Sequence, residues 1–166
     1  MPERSPVLVS NTTPLIALAA ATGSLDVLRA AYARVVVPWE VAQEVQAGGR
    51  ESFGLDAFHG AQWLDIQPAP VTLQPFLQNS LDRGEASVIQ TAMNLGVPLA
   101  CIDETTGRRV ARLSGLSVTG SIGVLLKAKR QGYPLSMPDA LQRMRAQGIW
   151  LSERVIQWAL AQAGEG

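Results

Sequence analysis

A small set of residues in this sequence places polar oxygen atoms at the ends of apolar segments. Asn11 follows the run "VLVS", and Asp103 and Glu104 follow the run "PLACI". Glu85 begins the helical pattern "EASVIQTAM", whose apolar stripe turns this carboxylate toward the inside of the molecule. Oxygen ligands of this kind are what Mg²⁺ and Mn²⁺ prefer, and two-metal nucleases use them for in-line displacement at phosphorus.

Each candidate also has an ordinary structural explanation. Glu85 stands three residues after Asp82, which is the spacing of a capping box at a helix N-terminus. Asn11 and Asp103 are good N-cap residues, and Glu40 would interact favourably with a helix dipole. Taken singly, these explanations are the simpler ones.

Taken together, the acidic residues are stronger evidence for a cation site than any one of them alone. Glu40 and Glu44 are four residues apart on one predicted helix, so their side chains share a face. Unit charges about 4 Å apart repel by roughly 4 kcal/mol at an effective dielectric constant of 20. A fold tolerates such a cluster when a divalent cation neutralises it, so the group indicates a cation site wherever its members meet.

Short β-branched runs alternate with helical patterns along the chain, and the weakest patterns lie within 50–79. Strands are predicted at 6–11, 34–38, 63–67, 97–103 and 116–120. Helices are predicted at 13–23, 24–33, 39–49, 83–96, 104–115, 121–132, 137–148 and 152–164. Thr13 is predicted to cap the first helix. The alternation implies right-handed crossovers and a parallel sheet covered on both faces, with ligands beyond the strands' carboxyl ends.

Composition limits the classes of function. The length predicts one domain over 1–166, with C-terminal helices from about 136 packed on it. The formal net charge is zero, so a role with nucleic acid would need a local basic patch. Neither a signal-peptide pattern nor an apolar run of about 18 residues is present, which favours a cytoplasmic protein that does not bind membranes.

Several kinds of site are excluded by what the sequence contains. Cys101 is the single cysteine and His59 the single histidine, which argues against a disulfide and against a zinc site. The chain has neither a dinucleotide-binding fingerprint nor a P-loop sequence. A phosphotransfer domain of the haloacid-dehalogenase or receiver type needs a nucleophilic aspartate after an early strand, and "NTT" offers none.

The blocks "VSNTTPLIALA", "VVVPWEVAQEV", "DRGEASVIQTA", "CIDETTGRRVA" and "GLSVTGSIGVLLKAKRQG" together resemble a branch of the PIN-domain superfamily. This bacterial and archaeal branch is catalogued as a domain of unknown function and described as predicted nucleic-acid binding. The resemblance covers nearly the whole chain. It implies an α/β/α sandwich with a central, mainly parallel sheet and a ribonuclease-like site that uses Mg²⁺ or Mn²⁺.

The resemblance also implies roles for particular residues. Glu44, Glu85 and Asp103 correspond to the family's acids and are predicted metal ligands, and together with Asn11 they are the predicted catalytic residues. Glu104 is a further predicted metal ligand, and Asn11 stands where the family normally has aspartate. Its amide oxygen can still coordinate a cation, but one full charge is missing. The predicted auxiliary residues are Thr13, at the family's hydroxyl position, and Glu40, which offers a replacement charge.

A basic surface would have to engage the substrate. The predicted nucleic-acid-binding residues are Arg108, Arg109, Arg112, Lys127, Lys129 and Arg130. The alternatives are a solvated face with extended side chains, or an arginine fork from Arg108 to Glu85 or Asp103. No strand is rich in aromatic residues, so we expect contact with the nucleic-acid backbone rather than base readout.

Two hypotheses for function follow. The first is a metal-dependent ribonuclease of PIN type, which the resemblance suggests as the toxin of a toxin–antitoxin pair and as a homodimer. The second is a catalytically inactive PIN-like module that binds RNA or a protein, which the loss of the first aspartate favours. The two differ in whether a cation is needed for the interaction with RNA.

Overall fold

The computed structural model of the chain describes residues 6–48 and 52–165. Within these residues, five strands form one sheet in the order β3-β2-β1-β4-β5, and every strand pair is parallel. The strands are β1 Val7–Ser10, β2 Arg34–Val37, β3 Asp65–Ile66, β4 Leu99–Cys101 and β5 Ser117–Thr119. All five predicted strands are therefore present, each shorter than its sequence pattern.

Ten helices connect and cover these strands within the described part of the chain. Those before β4 are α1 Thr12–Thr22, α2 Asp26–Ala31, α3 Trp39–Ala47, α4 Ser52–Gly60, α5 Pro75–Ser80 and α6 Arg83–Leu95. Those after it are α7 Thr105–Leu113, α8 Ser121–Arg130, α9 Met137–Ala146 and α10 Glu153–Gln162. Helices flank the central sheet, which confirms the predicted α/β/α architecture.

The core explains why the three central strands, β1, β2 and β4, are mostly apolar. Leu8, Val9, Val36 and Ala100 are completely buried, because both faces of a parallel sheet are covered by helices. On one side of the molecule α1 packs against α8 and α9, and elsewhere α6 packs against α3, α5 and α7 and contacts β1 and β4. These contacts bring the starts of α1, α6 and α7 to the same region.

The first helix begins one residue earlier than its sequence pattern predicts. Asn11 is the N-cap of α1, so the assignment of Thr13 as the cap is wrong. Pro14 still falls in the first turn, where its missing N–H costs nothing. Gly23 ends the helix at φ 85°, a left-handed conformation that favours glycine.

Two helices lie in the stretch that gave the weakest sequence patterns. The nine-residue α4 ends in Gly60 and the six-residue α5 begins with Pro75, so each is too short for a clear helical period. The predicted helix 39–49 ends at Ala47, and its last residue lies outside the described part of the chain. Within the described residues, each helix falls short of the length and apolar character needed to cross a bilayer.

Candidate acidic active site

The carboxyl ends of β1 and β4 lie side by side. Ser10 pairs with Cys101 in the sheet, and the Asn11 N–H donates to the Cys101 carbonyl at 3.0 Å. Asn11 is only 4% exposed, and its side chain makes no hydrogen bond to the start of α1. The amide is therefore held at the sheet edge without acting as a side-chain cap.

Asp103 joins the end of β4 to the start of α8. Its Oδ1 accepts a 2.7 Å hydrogen bond from the Ser121 N–H. A Cβ on Gly120 would lie 2.6 Å from this oxygen, so a larger residue there would push the carboxylate away. Burial raises the pKa of Asp103, hydrogen bonds from Ser121 and the charge of Arg108 oppose the rise, and the charge of Glu104 adds to it.

Glu85 lies in the first turn of α6 and is 4% exposed. The backbone of α7 passes close to its carboxylate at Gly107, where an added Cβ would lie 3.1 Å from Glu85 Oε2 and 2.9 Å from Ile102 Cγ2. Glycine at this position therefore lets α7 approach the carboxylate. The inward orientation of Glu85 agrees with the prediction from the apolar stripe of the α6 sequence.

The environment of Glu85 strongly disfavours its ionised form. Burial, followed by a hydrogen bond to Glu104 and the negative charges of Asp82 and Glu104, raises its pKa from the ordinary value of 4.5 to about 8. Near pH 7 the carboxyl group therefore holds its proton in the absence of a cation. A shift of this size, produced by burial together with like charges, is common at functional sites.

Glu44 reaches the same region from α3. The Thr12 hydroxyl donates to Glu44 Oε2 at 2.9 Å, and an added Cβ on Gly84 would overlap Glu44 Oε1. Partial desolvation raises the pKa of Glu44, the Thr12 hydrogen bond lowers it, and the charges of Asp82 and Glu104 raise it further. The hydroxyl that orients this acid belongs to Thr12, whereas Thr13 is exposed and lines a groove beside Asp103.

Helix capping accounts for Asp82 at the start of α6 but not for Asp103 or Glu104 at the start of α7. Asp82 does cap α6, since its Oδ1 accepts from the Glu85 N–H at 2.9 Å. The N-cap of α7 is Glu104 rather than Asp103, and the Glu104 side chain makes no cap hydrogen bond. The carboxylates of Asp103 and Glu104 are therefore not used to start α7.

Glu40 lies apart from this group. It is 4% exposed, and its Oε2 accepts a 2.9 Å hydrogen bond from the Val71 N–H in the segment after β3. Its Oε1 is buried without a hydrogen-bond partner. Glu40 thus holds the chain segment that follows β3. Glu44, one turn later on α3, is instead close enough to Asp82 and Glu104 for their charges to raise its pKa.

The acids fit a hard divalent cation by chemistry, although they do not form a closed cage. The charges of Asp82 and Glu104 each act on both Glu44 and Glu85, and the charge of Glu104 also acts on Asp103. An all-oxygen donor set of this kind suits Mg²⁺ or Mn²⁺. Within residues 6–48 and 52–165, no group of three acidic, histidine or cysteine side chains is close enough to be assigned as a metal centre.

The basic residues predicted to bind nucleic acid separate into two groups. Arg108, Arg109 and Arg112 lie on α7, which begins at the acidic edge. The other three occupy the last turn of α8, a helix about 15 Å long that starts beside Asp103. In that turn Lys129 forms a 2.8 Å ion pair with Glu165, and the Lys127 ammonium lies 4.8 Å from the centre of the Tyr32 ring.

Arg108 does not form the fork to a carboxylate that was one alternative. Its Nη1 donates to the Ile102 carbonyl at 2.9 Å, and the ion pairs of the described residues are Arg34–Asp65 and Lys129–Glu165. Its charge nevertheless lowers the pKa of Asp103. Arg108 therefore lies beside the acidic site, and among residues 6–48 and 52–165 the rest of its guanidinium group has no hydrogen-bond or ion-pair partner.

Asp82 is the member of the cluster that sequence reasoning missed as a site residue. Its spacing from Glu85 is visible in the sequence, but that spacing predicts only a helix cap. The structure shows the cap and also shows that the charge of Asp82 raises the pKa of both Glu44 and Glu85.

A family model described as a PIN domain, DUF3368, matches residues 7–165 of the chain. The match begins at β1 and ends after α10, so it includes every strand and every acid described above. No curated protein and no solved structure matches the chain.

Proposed function

The chain belongs to the PIN domain family, and from that premise we propose that it is a ribonuclease dependent on Mg²⁺ or Mn²⁺. The observation that carries the proposal is the buried position of Glu85 beside Asp82, and the raised pKa of Glu85, about 8 because of burial and the charges of Asp82 and Glu104, supports it. Such an arrangement of like charges costs the empty protein stability, and a bound divalent cation would repay the cost. PIN domains are generally nucleases that use divalent metals.

Glu44, Glu85 and Asp103 would hold the cation, with Glu104 close by and the Asn11 amide oxygen as a weaker, uncharged ligand. A cation held by these residues would supply the activation of a water for attack on phosphorus and the stabilisation of negative charge on the phosphoryl oxygens. The chain itself orients the ligands: Thr12 fixes Glu44 through its hydroxyl, and Ser121 fixes Asp103 through its N–H. These second contacts reduce the reorganisation that binding requires.

Arg108 is the cation best placed to contact the substrate backbone. It lies beside Asp103 and has guanidinium N–H groups beyond the one given to Ile102. An arginine in this position would hold a phosphate next to the acids and fix the register of the strand. Arg109 and Arg112 extend the basic character along α7.

Metal binding can be tested without measuring catalysis. We would titrate Mn²⁺ into the protein by calorimetry at pH 7 in two buffers that differ in ionisation enthalpy. Because Glu85 must lose its proton to act as a ligand, saturable binding should release close to one proton per ion. Glu85→Ala should lose the binding, and Glu40→Gln is the matched control, since Glu40 is equally buried but lies outside the cluster.

A second candidate function is an inactive PIN-like module that binds RNA or protein without cutting. Asn11 favours it, because an amide in place of an acid removes one charge from the site. An inactive module should bind RNA equally well with Mn²⁺ and with EDTA. Cleavage of RNA that requires Mn²⁺ and disappears in Glu85→Ala would rule it out.

The proposal also includes two protein partners, a cognate antitoxin and a second copy of the chain. A cytoplasmic toxin of this family would have a cognate antitoxin protein and would act as a homodimer. Light scattering on the purified chain tests the dimer directly. Growth arrest on expression of the wild type, but not of Glu85→Ala, tests the toxin role, and its absence would remove that part of the proposal.

A further inference from the structure

An open groove of about 670 Å³ runs beside the acidic site. Its lining includes Asp103 and Arg108. It also includes Trp150, which precedes α10, together with Val155 and Trp158 on that helix, and these three side chains form what we call the aromatic wall. Val155 and Trp158 are three residues apart and therefore lie on the same side of α10. The groove therefore holds three large apolar side chains and one acid of the site, Asp103.

The aromatic wall exposes unusually large apolar side chains. Trp150 is 82% exposed, Trp158 is 50% exposed and Val155 is 37% exposed. Scattered apolar residues on a surface are ordinary, but three that line one groove mark an interaction surface. Neither tryptophan contributes to the buried core, so the fold itself does not explain them.

We propose that this groove binds single-stranded RNA by stacking its bases on Trp150 and Trp158. Arg108 would contact the phosphates of the same strand and lead it past Asp103. The inference rests on the proposed function for its substrate class, and it adds base stacking to the backbone contacts expected from the sequence. Stacking on aromatic side chains tolerates any base sequence, because every base has a π-face.

Charge favours a nucleic acid over an apolar polypeptide as the occupant. Arg108 lines the groove with one guanidinium N–H given to Ile102 and the rest of the group available for a phosphate. Asp103 is partly neutralised by the Ser121 N–H and by Arg108, so it repels a phosphate less than a free carboxylate would. An apolar helix laid in the groove would instead cover the charges of Arg108 and Asp103 without pairing them.

Binding of a labelled 12-nucleotide single-stranded RNA in EDTA tests the proposal separately from cleavage. Fluorescence anisotropy should show about tenfold weaker binding for Trp150→Ala and for Trp158→Ala, since one stacked base is worth roughly 1–3 kcal/mol. Leu113→Ala is the matched control, because Leu113 is 79% exposed on α7 and does not line the groove. Its affinity should equal that of the wild type.

A strand of the same length with abasic sites identifies the contact as stacking. The wild type should bind this strand about 100-fold more weakly than the intact strand, since both stacked bases are lost, and the Trp150→Ala/Trp158→Ala double variant should bind the two almost equally. Thermal unfolding of each variant verifies that it is folded. Partial quenching of tryptophan fluorescence by the intact strand, absent in the double variant, provides a second readout.

The outcomes distinguish this inference from the proposed function. RNA binding in EDTA that depends on both tryptophans supports stacking even if Mn²⁺ binding and cleavage fail. Equal binding of intact and abasic strands, wild-type affinity in the tryptophan variants, or no binding of RNA by the wild type would each overturn it. A change in oligomeric mass in Trp150→Ala, with unchanged RNA affinity, would show that the groove is a protein interface and would also overturn it.

Discussion

The starts of α3 and α6 each bury a glutamate to the same extent and use it differently. Glu40 and Glu85 are both 4% exposed. Glu40 accepts a hydrogen bond from the Val71 N–H and holds the segment after β3 in place. Glu85 lies among Asp82 and Glu104, and its pKa is raised to about 8. Equal burial therefore accompanies a structural role in one region and an electrostatically strained group in the other.

The difference teaches that burial alone does not build a candidate site. A buried carboxylate that accepts a backbone N–H has its charge partly compensated and can remain where it is. A buried carboxylate surrounded by other acids is compensated only by a proton or a cation. Glycines also allow the backbone to pass close to two acids of the site. Gly84 lies against the Glu44 carboxylate and Gly107 against that of Glu85, where a Cβ would come too near.

The largest effect should come from removing the strained acid. Glu85→Ala should weaken Mn²⁺ binding by on the order of 100-fold or more, because it deletes the ligand whose environment calls for a cation. At pH 8 the same variant should gain stability against urea in EDTA, since like-charge repulsion is relieved. Calorimetry and urea unfolding measure the two effects. Unchanged Mn²⁺ affinity would show that Glu85 is not a ligand and that its role does not differ from that of Glu40.

Removing the structural glutamate should cost stability instead. Glu40→Ala leaves the Val71 N–H without its partner, so we expect the free energy of unfolding to fall by about 1–3 kcal/mol. Urea unfolding measures the loss, and calorimetry should show Mn²⁺ affinity within a factor of two or so of the wild type. Glu40→Gln keeps an acceptor oxygen and should lose less. A large loss of Mn²⁺ affinity in either variant would place Glu40 in the site.

A methyl group on the first turn of α6 should disturb Glu44 without removing it. In Gly84→Ala the new Cβ would overlap Glu44 Oε1, so the carboxylate must move and Mn²⁺ affinity should fall about tenfold. Gly60→Ala is the matched control, because an added Cβ there meets nothing within 4 Å. Calorimetry on both variants would test the expectation, and equal affinities would show that Glu44 is not a ligand.

Restoring the acid at the end of β1 should have opposite effects on the empty and loaded protein. Asn11→Asp adds a charge to a position that is 4% exposed, so stability in EDTA should fall by on the order of 1 kcal/mol. Mn²⁺ binding should become tighter by a similar free energy. Thermal unfolding with and without Mn²⁺ measures both, and a variant that changes neither would reduce Asn11 to a helix N-cap.

The pH dependence of stability should also differ between the wild type and a variant that cannot ionise at position 85. Because the pKa of Glu85 is about 8 in the folded protein and near 4.5 when unfolded, the folded state holds the extra proton between these values. The stability that this provides is complete below pH 4.5 and is lost as the pH rises through 8. In EDTA, Glu85→Gln should therefore lose less stability than the wild type between pH 5 and 8. Parallel curves from urea unfolding would contradict this.

Much of the fold could be predicted from local patterns, because β-branched runs and helical periods are local. The same patterns placed Asn11 and Asp103 at the carboxyl edge, where the structure has them. The contact between Thr12 and Glu44, by contrast, joins residues on α1 and α3 and depends on how those helices pack. Local spacing gave Asp82 only its capping role, and its influence on Glu44 depends on α3 and α6 meeting.

The groove lined by Trp150 and Trp158 shows more clearly that local sequence patterns do not determine how helices pack. Trp158 lies on an amphipathic helix pattern, and its sequence favours a core position. The structure leaves it 50% exposed, while Ala159 beside it is completely buried. Only the packing of α10 on α8 and α9 decides which side of that helix faces the groove.

The position of β1 in the sheet has a consequence for synthesis. β1 lies at the centre, between β2 and β4, although it precedes the other four described strands in the chain. Val9 pairs with Val36 soon after, but its other neighbour, Ala100, emerges about 90 residues later, which takes roughly 5–20 s at ordinary translation rates. During those seconds the nascent chain presents an unpaired, apolar strand edge, which is the kind of surface through which unfinished chains aggregate.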